Sequence, residues 1–289
     1  MPVDFTIDVC GARRAFDAAA GSYDEAAVLQ REVGERLVGR LDYIRIAPQR
    51  VLDLGAGTGH LTALLLDRYR KAEVWAADFA PAMLQRAQKR GSWRRRPKVV
   101  CADAGALPFA DGYFDLVVSN LMLQWCMPQA RYLAEIRRVV AGNGLLMFST
   151  FGPDTLKELR AAWAEVDSAR HVHEFMDMHD VGDALLATGF SGPVMDMEMV
   201  TLTYGELLGL MRDLKAIGAV NADAGRQRGL FGRQAYRRLC HAYERFRDAA
   251  GLLPATYEVV YGHAWVPDVP PPSSVKENFP PNVMVNALG

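Results

Sequence analysis

Residues 51–66 read VLDLGAGTGHLTALLL: a short apolar run, a turn rich in glycine, and then apolar residues at helical spacing. A buried strand that breaks into a glycine turn and opens a helix is where α/β proteins bring their backbone against a nucleotide. A dinucleotide-binding loop would read G-x-G-x-x-G and would place its third glycine at position 60. Because this chain has His60 there, its loop follows a different spacing, G-x-G-x-G.

This spacing, with Asp53 inside the preceding strand, resembles the cofactor loop of enzymes that use S-adenosylmethionine (SAM). SAM has no pyrophosphate to hold, and glycines let the backbone approach its amino-acid end and ribose without clashes from Cβ atoms. The resemblance predicts SAM as the cofactor. The predicted contacts in this segment are Asp53, Gly55, Ala56, Gly57 and Gly59.

Two acidic residues follow the next two predicted strands. Asp78 ends the run 74–78, 19 residues after Gly59, and an acid at that distance can accept both ribose hydroxyls. Its alternative role is to cap the helix that Pro81 opens. Asp103 can accept a hydrogen bond from the adenine amino group, although alone it would be an ordinary loop carboxylate. Neighbours expected to complete this part of the site are Phe79, Met83 and Ala104.

The predicted fourth strand, 114–119, leads into a further part of the site. Because strand ends at this edge face the ligand, we expect Asn120 and Gln124 to form walls around the methionine half of SAM. Trp125 is a candidate for the same wall. The alternative is that the apolar residues among 121–125 are simply core.

Strand-like and helix-like segments alternate along the chain. Apolar, β-branched strand cores in this alternation predict a parallel, doubly wound α/β sheet. The helical block between the last two strands is expected to lie over the carboxyl edge of the sheet, where such sheets bind ligands. We predict helices at 12–45, 59–69, 81–90, 128–140, 178–188, 204–217 and 232–250, and strands at 51–54, 73–78, 97–101, 114–119, 143–151, 193–202 and 256–266.

Composition narrows the function classes. The chain has 289 residues, 50% of them apolar, with 33 basic and 34 acidic side chains and a formal charge of −1. No global field therefore favours nucleic acid or an anionic membrane. The four cysteines are scattered, and no targeting segment or long apolar run is visible, so we expect a cytoplasmic protein.

Two local clusters have residue types that suit other roles. Arg94-Arg95-Arg96 is the densest basic run, and we interpret it as a solvated turn, with a landing site for an acidic partner as the alternative. His171, His173 and His179 do not have the spacing of a helical metal pair such as H-E-x-x-H, so no metal is expected.

The glycine loop, Asp78 and the segments DAGALPF (103–109) and FDLV (114–117) together resemble class I SAM-dependent methyltransferases over roughly residues 48–152. A narrower match extends over about residues 12–266 and resembles the malonyl-acyl-carrier-protein O-methyltransferases of biotin synthesis. The segments that carry it read AFDAAA (15–20), YD (23–24), LQR (29–31), LQWC (123–126), FSTFG (148–152), TLKELR (155–160) and LKAIGA (214–219).

The resemblance implies a Rossmann-like, mostly parallel seven-stranded sheet with an antiparallel last strand, an N-terminal helical lid and a helical insertion before the last strand. It implies Tyr23 as a lid tyrosine at the site, with ordinary helix packing as its alternative role. The implied segments are a lid at 1–47, a SAM-binding core at 48–203, a substrate-side insertion at 204–253 and the last strand at 254–266. Separately, the proline-rich composition of 267–289, with few core-forming residues, predicts a disordered tail.

The implied reaction is methylation of the free carboxylate of malonyl-acyl-carrier protein, or of malonyl-CoA. This carboxylate is ionised near neutral pH, so it can attack a methyl group without a general base. A cation should hold it, and arginine suits bidentate recognition of a carboxylate. Arg226 is the favoured residue among the candidates Arg160, Lys215, Arg226, Arg228 and Arg233.

Other functions stay open at this point. The segments GPDTL (152–156) and LPATY (253–257) also resemble a methyltransferase-fold assembly factor of respiratory complex I that hydroxylates an arginine of a partner subunit. The N-terminal lid segment favours the biotin-synthesis family over this alternative. A SAM methyltransferase for another small molecule would share the fold, and so would a SAM-binding protein without catalysis.

Overall fold

A computed structural model describes residues 7–225 and 232–268 of the chain. Its strands are β1 Arg50–Leu54, β2 Glu73–Asp78, β3 Lys98–Cys101, β4 Phe114–Asn120, β5 Val140–Phe151, β6 Ser191–Tyr204 and β7 Leu253–Trp265. They form a seven-stranded sheet in the order β3-β2-β1-β4-β5-β7-β6. The first five strands are parallel, whereas β7 pairs antiparallel with both β5 and β6. The predicted α/β class with a mostly parallel seven-stranded sheet is confirmed.

The described helices alternate with the strands in the predicted way. They are α1 Val9–Ala19, α2 Tyr23–Ala26, α3 Val28–Arg40, α4 His60–Arg68, α5 Pro81–Ala87, α6 Gln129–Val139, α7 Lys157–Ala164, α8 Met178–Ala187, α9 Leu207–Ala216 and α10 Arg233–Glu244. Within these residues, none of the helices has the length and apolarity needed to cross a membrane.

The sheet is covered by helices on both faces, which explains its continuous apolar strands. Val51 packs in a buried cluster with residues of α3 and α4, whereas its neighbour Leu52 packs in a second cluster with residues of α6 and α8. Successive strand residues point to opposite faces, so a strand buried on both faces needs an unbroken apolar run. Each fully buried aliphatic side chain contributes about 1.5–3 kcal/mol.

The strand directions place the helical insertion over the carboxyl edge of the sheet. Phe151, the last residue of β5, pairs with Val259, which also pairs with Glu198 in β6. β6 then continues to Tyr204, six residues past that level, before the insertion begins. α9 and α10 therefore connect β6 to β7 from beyond the carboxyl ends of the parallel strands, as expected.

The structure differs from the prediction at several elements. The helical stretch expected over 12–45 is broken into α1, α2 and α3, because the chain turns at 20–22 and again at Ala27. α7 is not among the predicted helices, although its buried residues Leu159, Ala162 and Trp163 recur at helical spacing. In the proline-rich tail, the prediction for 269–289 falls outside the described residues.

Candidate active site

The glycine loop between β1 and α4 has a backbone that suits glycine. Gly55, Gly57 and Gly59 have φ angles of +76°, +53° and +83°, in the left-handed region that is costly for other residues. A Cβ atom on Gly55 would lie 2.4 Å from Cγ of Met122, whereas one on Gly57 would meet no atom within 4 Å. The loop therefore offers open backbone at Gly57.

Gly59 lies where two helices approach each other closely. A Cβ atom there would lie 2.7 Å from the Cα of Ala87, so glycine is needed for the close approach of α4 and α5. Gly59 is not among the residues that line the spaces described below. Its predicted contact with the cofactor gains no support from this position.

Asp53, in β1, is fully buried. Its Oδ2 accepts a hydrogen bond of 2.5 Å from the Thr62 hydroxyl, and its Oδ1 is buried without a hydrogen-bond partner among the described residues. Burial raises the pKa of Asp53 to about 7. Asp53 and Ala56 line a small recess beside the loop, so a ligand with hydrogen-bond donors would satisfy the orphaned oxygen.

Asp78 holds the loop from the end of β2. Its Oδ2 accepts from the Gly57 N–H at 2.8 Å, and its Oδ1 accepts from the Ala80 N–H at 2.8 Å, just before α5. Burial raises the pKa of Asp78 to about 6. The N-cap residue of α5 is Ala80, so Asp78 does not take the alternative capping role. Its carboxylate lines the cleft, as the ribose role requires.

A cleft of about 800 Å³ opens at the carboxyl ends of the central strands, and we call it the glycine-loop cleft. Residues of α1 contribute apolar side chains to it, among them Ala12 and Phe16. The structure brings most of the predicted cofactor residues together here. Those that line it are Gly55, Gly57, Asp78, Phe79, Met83, Asp103, Ala104 and Asn120.

Two of these residues also organise their surroundings. Asp103 accepts a hydrogen bond of 2.8 Å from the Gly105 N–H, which fixes the loop after β3. Asn120 donates to the Gln30 carbonyl oxygen of α3 at 2.9 Å and accepts from the Ser149 hydroxyl at 2.7 Å. The Asn120 side chain therefore ties α3 to the sheet beside the cleft.

The N-terminal helices are fastened over the cleft by named contacts. Asp24 in α2 accepts hydrogen bonds from the Thr58 hydroxyl at 2.5 Å and from Arg90 Nη2 at 2.8 Å, and Arg90 Nε also donates to the Thr58 carbonyl at 2.9 Å. Asp17 in α1 accepts from the Ala82 N–H at 2.9 Å. The glycine loop and α5 thus hold the two helices in place.

Tyr23 lies at the junction of all these spaces. It lines the glycine-loop cleft, the recess beside the loop and a second large space. Burial, with the nearby carboxylates of Asp78 and Asp24, raises the pKa of the Tyr23 hydroxyl. The hydroxyl is therefore protonated at neutral pH and can donate a hydrogen bond to whatever lies between the spaces.

The second space, which we call the aromatic chamber, has a volume of about 800 Å³ and shares Phe16, Tyr23, Leu121 and Trp125 with the cleft. Phe151 packs against Phe175 and Tyr257, with ring centroids 5.7 Å apart in each pair. Further walls come from α7, from residues 171–175 and from 214–221. The chamber is apolar and adjoins the cleft, which suits a reaction between two ligands that must be shielded from water.

Gln124 lies in the chamber rather than in the glycine-loop cleft. Its Nε2 donates to the Leu121 carbonyl at 2.6 Å, and its Oε1 accepts from the Thr150 hydroxyl at 3.3 Å. The predicted role of Gln124 as a wall of the cofactor site is therefore not supported by its position. It is a wall of the adjoining chamber.

The histidines are engaged with neighbouring groups. His173 Nε2 accepts from the Ala222 N–H at 2.8 Å, and its ring lies 5.3 Å from that of Trp125. His171 contacts Asp167 at 2.8 Å and stacks on Trp163. Among the residues that the structure describes, no group of three or more His, Cys, Asp or Glu is placed to hold a metal.

The predicted cations do not meet in the chamber. Arg226 and Arg228 lie outside the described residues. Arg160 donates to the carbonyls of Pro153 and Thr155, both at 2.9 Å, and Lys215 and Arg233 are exposed. Within the described ranges, neither Arg nor Lys lines the cleft or the chamber.

Arg94–Arg96 lie far from these spaces in the topology. They come just before β3 begins at Lys98, at the amino edge of the parallel strands. Arg95 donates to the carbonyl of Tyr69, in the turn that precedes β2. Because the cleft is at the carboxyl edge, this basic run is not positioned as a landing site for a substrate carrier.

Comparison with known proteins agrees with this geometry. Residues 52–148 match a family model described as a methyltransferase domain. The chain is 58% identical over 261 residues to the malonyl-(acyl-carrier protein) O-methyltransferase of Halorhodospira halophila, a match that covers 90% of this chain and 88% of the relative. The protein of the same name from Laribacter hongkongensis is 54% identical over 279 residues, covering 94% of each chain.

The chain belongs to the malonyl-(acyl-carrier protein) O-methyltransferase family. Among solved structures, a candidate methyltransferase from Bacillus halodurans matches with a TM-score of 0.58 at 17% identity, covering 81% of this chain and 98% of that chain. At this identity the likeness shows the fold alone. The fold is that of the class I SAM methyltransferases, as predicted.

The cleft of this malonyl-(acyl-carrier protein) O-methyltransferase family member fits SAM. Asp78 and Asp103 both line the cleft with carboxylate oxygens, which can accept hydrogen bonds from ribose hydroxyls and from an adenine amino group respectively. The open backbone at Gly57 and the orphaned Oδ1 of Asp53 suit a polar group that approaches closely. These are properties of the described residues themselves.

Sequence reasoning missed most of the chamber. Leu159 in α7, residues 171–175 and Tyr257 line it, and of these only Leu159 and Tyr257 fall in segments that carry a family resemblance. They meet only because β7 pairs with β5 and the intervening segments fold back over the carboxyl edge. The family-like segment 155–160 was the available signal, and it was not assigned to a helix or to the site.

Proposed function

We propose that this protein transfers the methyl group of SAM to the free carboxylate of a malonyl thioester carried by acyl-carrier protein, giving the methyl ester. SAM supplies an electrophilic methyl group when it is bound. The observation that supports the proposal most is the aromatic chamber, which adjoins the glycine-loop cleft and shares Phe16, Tyr23 and Trp125 with it. The relatives are named as malonyl-(acyl-carrier protein) O-methyltransferases, and this name supports a malonyl acceptor over the alternative function of a complex I assembly factor.

The side chains in the chamber suit an acceptor that needs no deprotonation. A malonyl carboxylate is an anion near neutral pH and can attack directly. What the protein must contribute is alignment of the two reacting groups and exclusion of water. The rings of Phe151, Phe175 and Tyr257 exclude water, and the protonated hydroxyl of Tyr23 can orient a group at the junction.

The cation that holds the carboxylate remains part of the proposal. Since the described walls of both spaces contain no Arg or Lys, we retain Arg226 as the candidate, from a segment outside the described residues. A cation that pairs with both carboxylate oxygens would lower the nucleophilicity of the carboxylate. We therefore propose that the cation contacts only one of the two oxygens. Tyr23 and Arg226 are thus the proposed site residues on the acceptor side.

The wider assignment follows from the same proposal. The reaction would be an early step of biotin synthesis in the cytoplasm, and malonyl-CoA would be an alternative acceptor. The proposed division of labour assigns the lid to residues 1–47, the SAM-binding core to 48–203 and 254–266, and the substrate side to 204–253. Neither nucleic acid nor a membrane is expected as a partner.

Mass spectrometry of the acceptor tests the proposal. The protein is incubated with SAM and malonyl-acyl-carrier protein, and acetyl-acyl-carrier protein, which lacks the carboxylate, serves as the control acceptor. We expect a methyl ester on the malonyl carrier and an equal amount of S-adenosylhomocysteine, with no change of the acetyl carrier. Tight SAM binding without methylation of any malonyl thioester would contradict the proposal.

A further inference from the structure

The two insertion helices carry exposed cations that have no acidic partner in the described structure. Arg212 and Lys215 of α9 and Arg233 and Arg237 of α10 are all exposed. None of them forms an ion pair with another residue of the described ranges. By contrast, Arg36, Arg40, Arg68, Arg138 and Arg247 are each paired with a carboxylate.

We call these four exposed cations of the insertion helices the basic face: Arg212, Lys215, Arg233 and Arg237. On α9, Leu208, Arg212 and Lys215 are spaced four and three residues apart, so they share one face of the helix. Arg233 and Arg237 are four residues apart on α10. Burial raises the pKa of Tyr236, the residue before Arg237 in α10, and the positive charge of Arg212 opposes that rise, so Arg212 lies near this part of α10.

The local charge is unlike that of the whole chain. α9 contains two cations and one anion, and α10 contains three arginines and one glutamate. The full chain has a formal charge of −1. The positive charge is therefore concentrated on the insertion, where it can attract an acidic surface.

The basic face adjoins the opening of the aromatic chamber. Lys215 stands between Leu214 and Ile217, both of which line the chamber. Val220, a further lining residue, is 39% exposed and marks the rim. The Ser22 hydroxyl, at the start of α2, donates to the Ala216 carbonyl at 3.0 Å, so the lid meets α9 at the same place.

We propose that the basic face is the docking surface for the acidic acyl-carrier protein that delivers the malonyl thioester. This inference rests on the proposed function, because it assumes a carrier-bound acceptor. Opposite charges steer two proteins together and set their orientation. Exposed Leu208, on the same side of α9 and 37% exposed, offers an apolar contact inside the charged patch. From this surface the thioester arm enters the chamber beside Lys215.

Charge reversal on the basic face tests the inference. In the double variant Arg212→Glu/Arg237→Glu, each helix loses one cation and no residue that lines the chamber changes. The matched control is Arg94→Glu/Arg96→Glu, which makes the same charge change at the amino edge of the sheet. Steady-state kinetics are measured with malonyl-acyl-carrier protein and with malonyl-pantetheine, a small acceptor that has no protein surface.

For the basic-face variant we expect the KM for the carrier-bound acceptor to rise at least about tenfold at low salt, with kcat within about twofold of the parent. Its kinetics with malonyl-pantetheine, and those of the control with both acceptors, should match the parent. Raising the salt concentration should narrow the difference in KM.

An unchanged KM for the carrier would overturn the inference. Equal losses with both acceptors, reproduced by Arg212→Gln/Arg237→Gln in a protein with parental thermal stability, would also overturn it, because the face would then act on the chamber and not on docking. If the parent methylates neither acceptor, the proposed function fails instead, so the two failures are distinguishable.

Discussion

Replacing Asp24 by Asn tests whether the fastening of α2 to the glycine loop supports cofactor binding. Asp24 pairs with Arg90 at 2.8 Å, with the two side chains 40% and 32% exposed, and such partly exposed pairs contribute about 0.2–1 kcal/mol. The Thr58 hydroxyl, which donates to Asp24 at 2.5 Å, can still donate to the amide oxygen of the introduced asparagine side chain, but the bond to a neutral acceptor is weaker by about 1 kcal/mol. Together the two losses reduce the free energy that holds α2 against the glycine loop by about 1–2 kcal/mol.

This loss corresponds to a decrease of about 5- to 30-fold in the equilibrium ratio of the closed lid, with α2 held against the glycine loop, to an open lid. Because the lid covers the cleft, the Kd for S-adenosylhomocysteine should rise by up to this factor in isothermal titration calorimetry. Glu25→Gln is the matched control, since Glu25 is the exposed neighbour in the same short helix. In a double-mutant cycle, Thr58→Val should cost less in the Asp24→Asn background than in the parent. A Kd for Asp24→Asn equal to that of the control would refute the reasoning.

Three further changes probe the cleft and the chamber. Gly55→Ala introduces a Cβ 2.4 Å from Met122 Cγ at a φ of +76°. Compared with Gly57→Ala, this variant should have a lower stability in thermal unfolding and should bind S-adenosylhomocysteine more weakly in calorimetry. Equal effects of the two substitutions would contradict the geometry. Burial raises the pKa of Asp53 to about 7. Between about pH 4 and pH 7 the native state therefore holds a proton on Asp53 that the unfolded state has released. Because the native state binds more protons in this range, the free energy of unfolding should fall as the pH rises toward 7. Asp53→Asn should flatten this slope in urea titrations at several pH values, and an unchanged slope would exclude Asp53 as its source. Phe151 lines the chamber but not the cleft. Phe151→Ala should therefore lower kcat/KM for the malonyl acceptor about tenfold or more, while the Kd for S-adenosylhomocysteine stays within about twofold of the parent value. A larger rise in this Kd would show that the two spaces are not separate.

The cofactor half of the site could be predicted because its signals are local in the sequence. The glycine spacing, Asp78 and Asp103 each follow a strand end, and parallel strands bring their carboxyl ends to one edge. Most of the predicted residues accordingly line one cleft. Asp53 and Ala56 line the recess beside the loop, Gln124 lines the chamber, and Gly59 lines none of these spaces. The close approach of Gly59 to Ala87 is a contact between two helices that no local spacing reports.

The acceptor half depends on contacts between distant segments. Glu258 in β7 donates its N–H to the Thr155 hydroxyl, 103 residues earlier in the chain, and this pairing places Tyr257 in the chamber. Asp24 likewise reaches Thr58 across 34 residues. Such contacts follow from strand pairing and chain reversal, which periodicity and motifs in one sequence do not encode.

The basic run Arg94–Arg96 illustrates the same difference. Its residues are consecutive in a turn before β3, as the interpretation as a solvated turn expects, and they lie at the amino edge of the sheet. The cations of the basic face are separated in the sequence and lie on two different helices of the insertion, α9 and α10. Charge density along a chain and charge density on a surface are therefore different quantities.

Transfer of an isotopically labelled methyl group tests the central claim most directly. The protein is given carbon-13-methyl SAM and malonyl-acyl-carrier protein, and the product is examined by carbon-13 NMR. The account predicts a labelled methoxy signal of a methyl ester, formed in equal amount with S-adenosylhomocysteine. Label on carbon or nitrogen of the acceptor, or label that stays in SAM while the cleft is occupied, would contradict it.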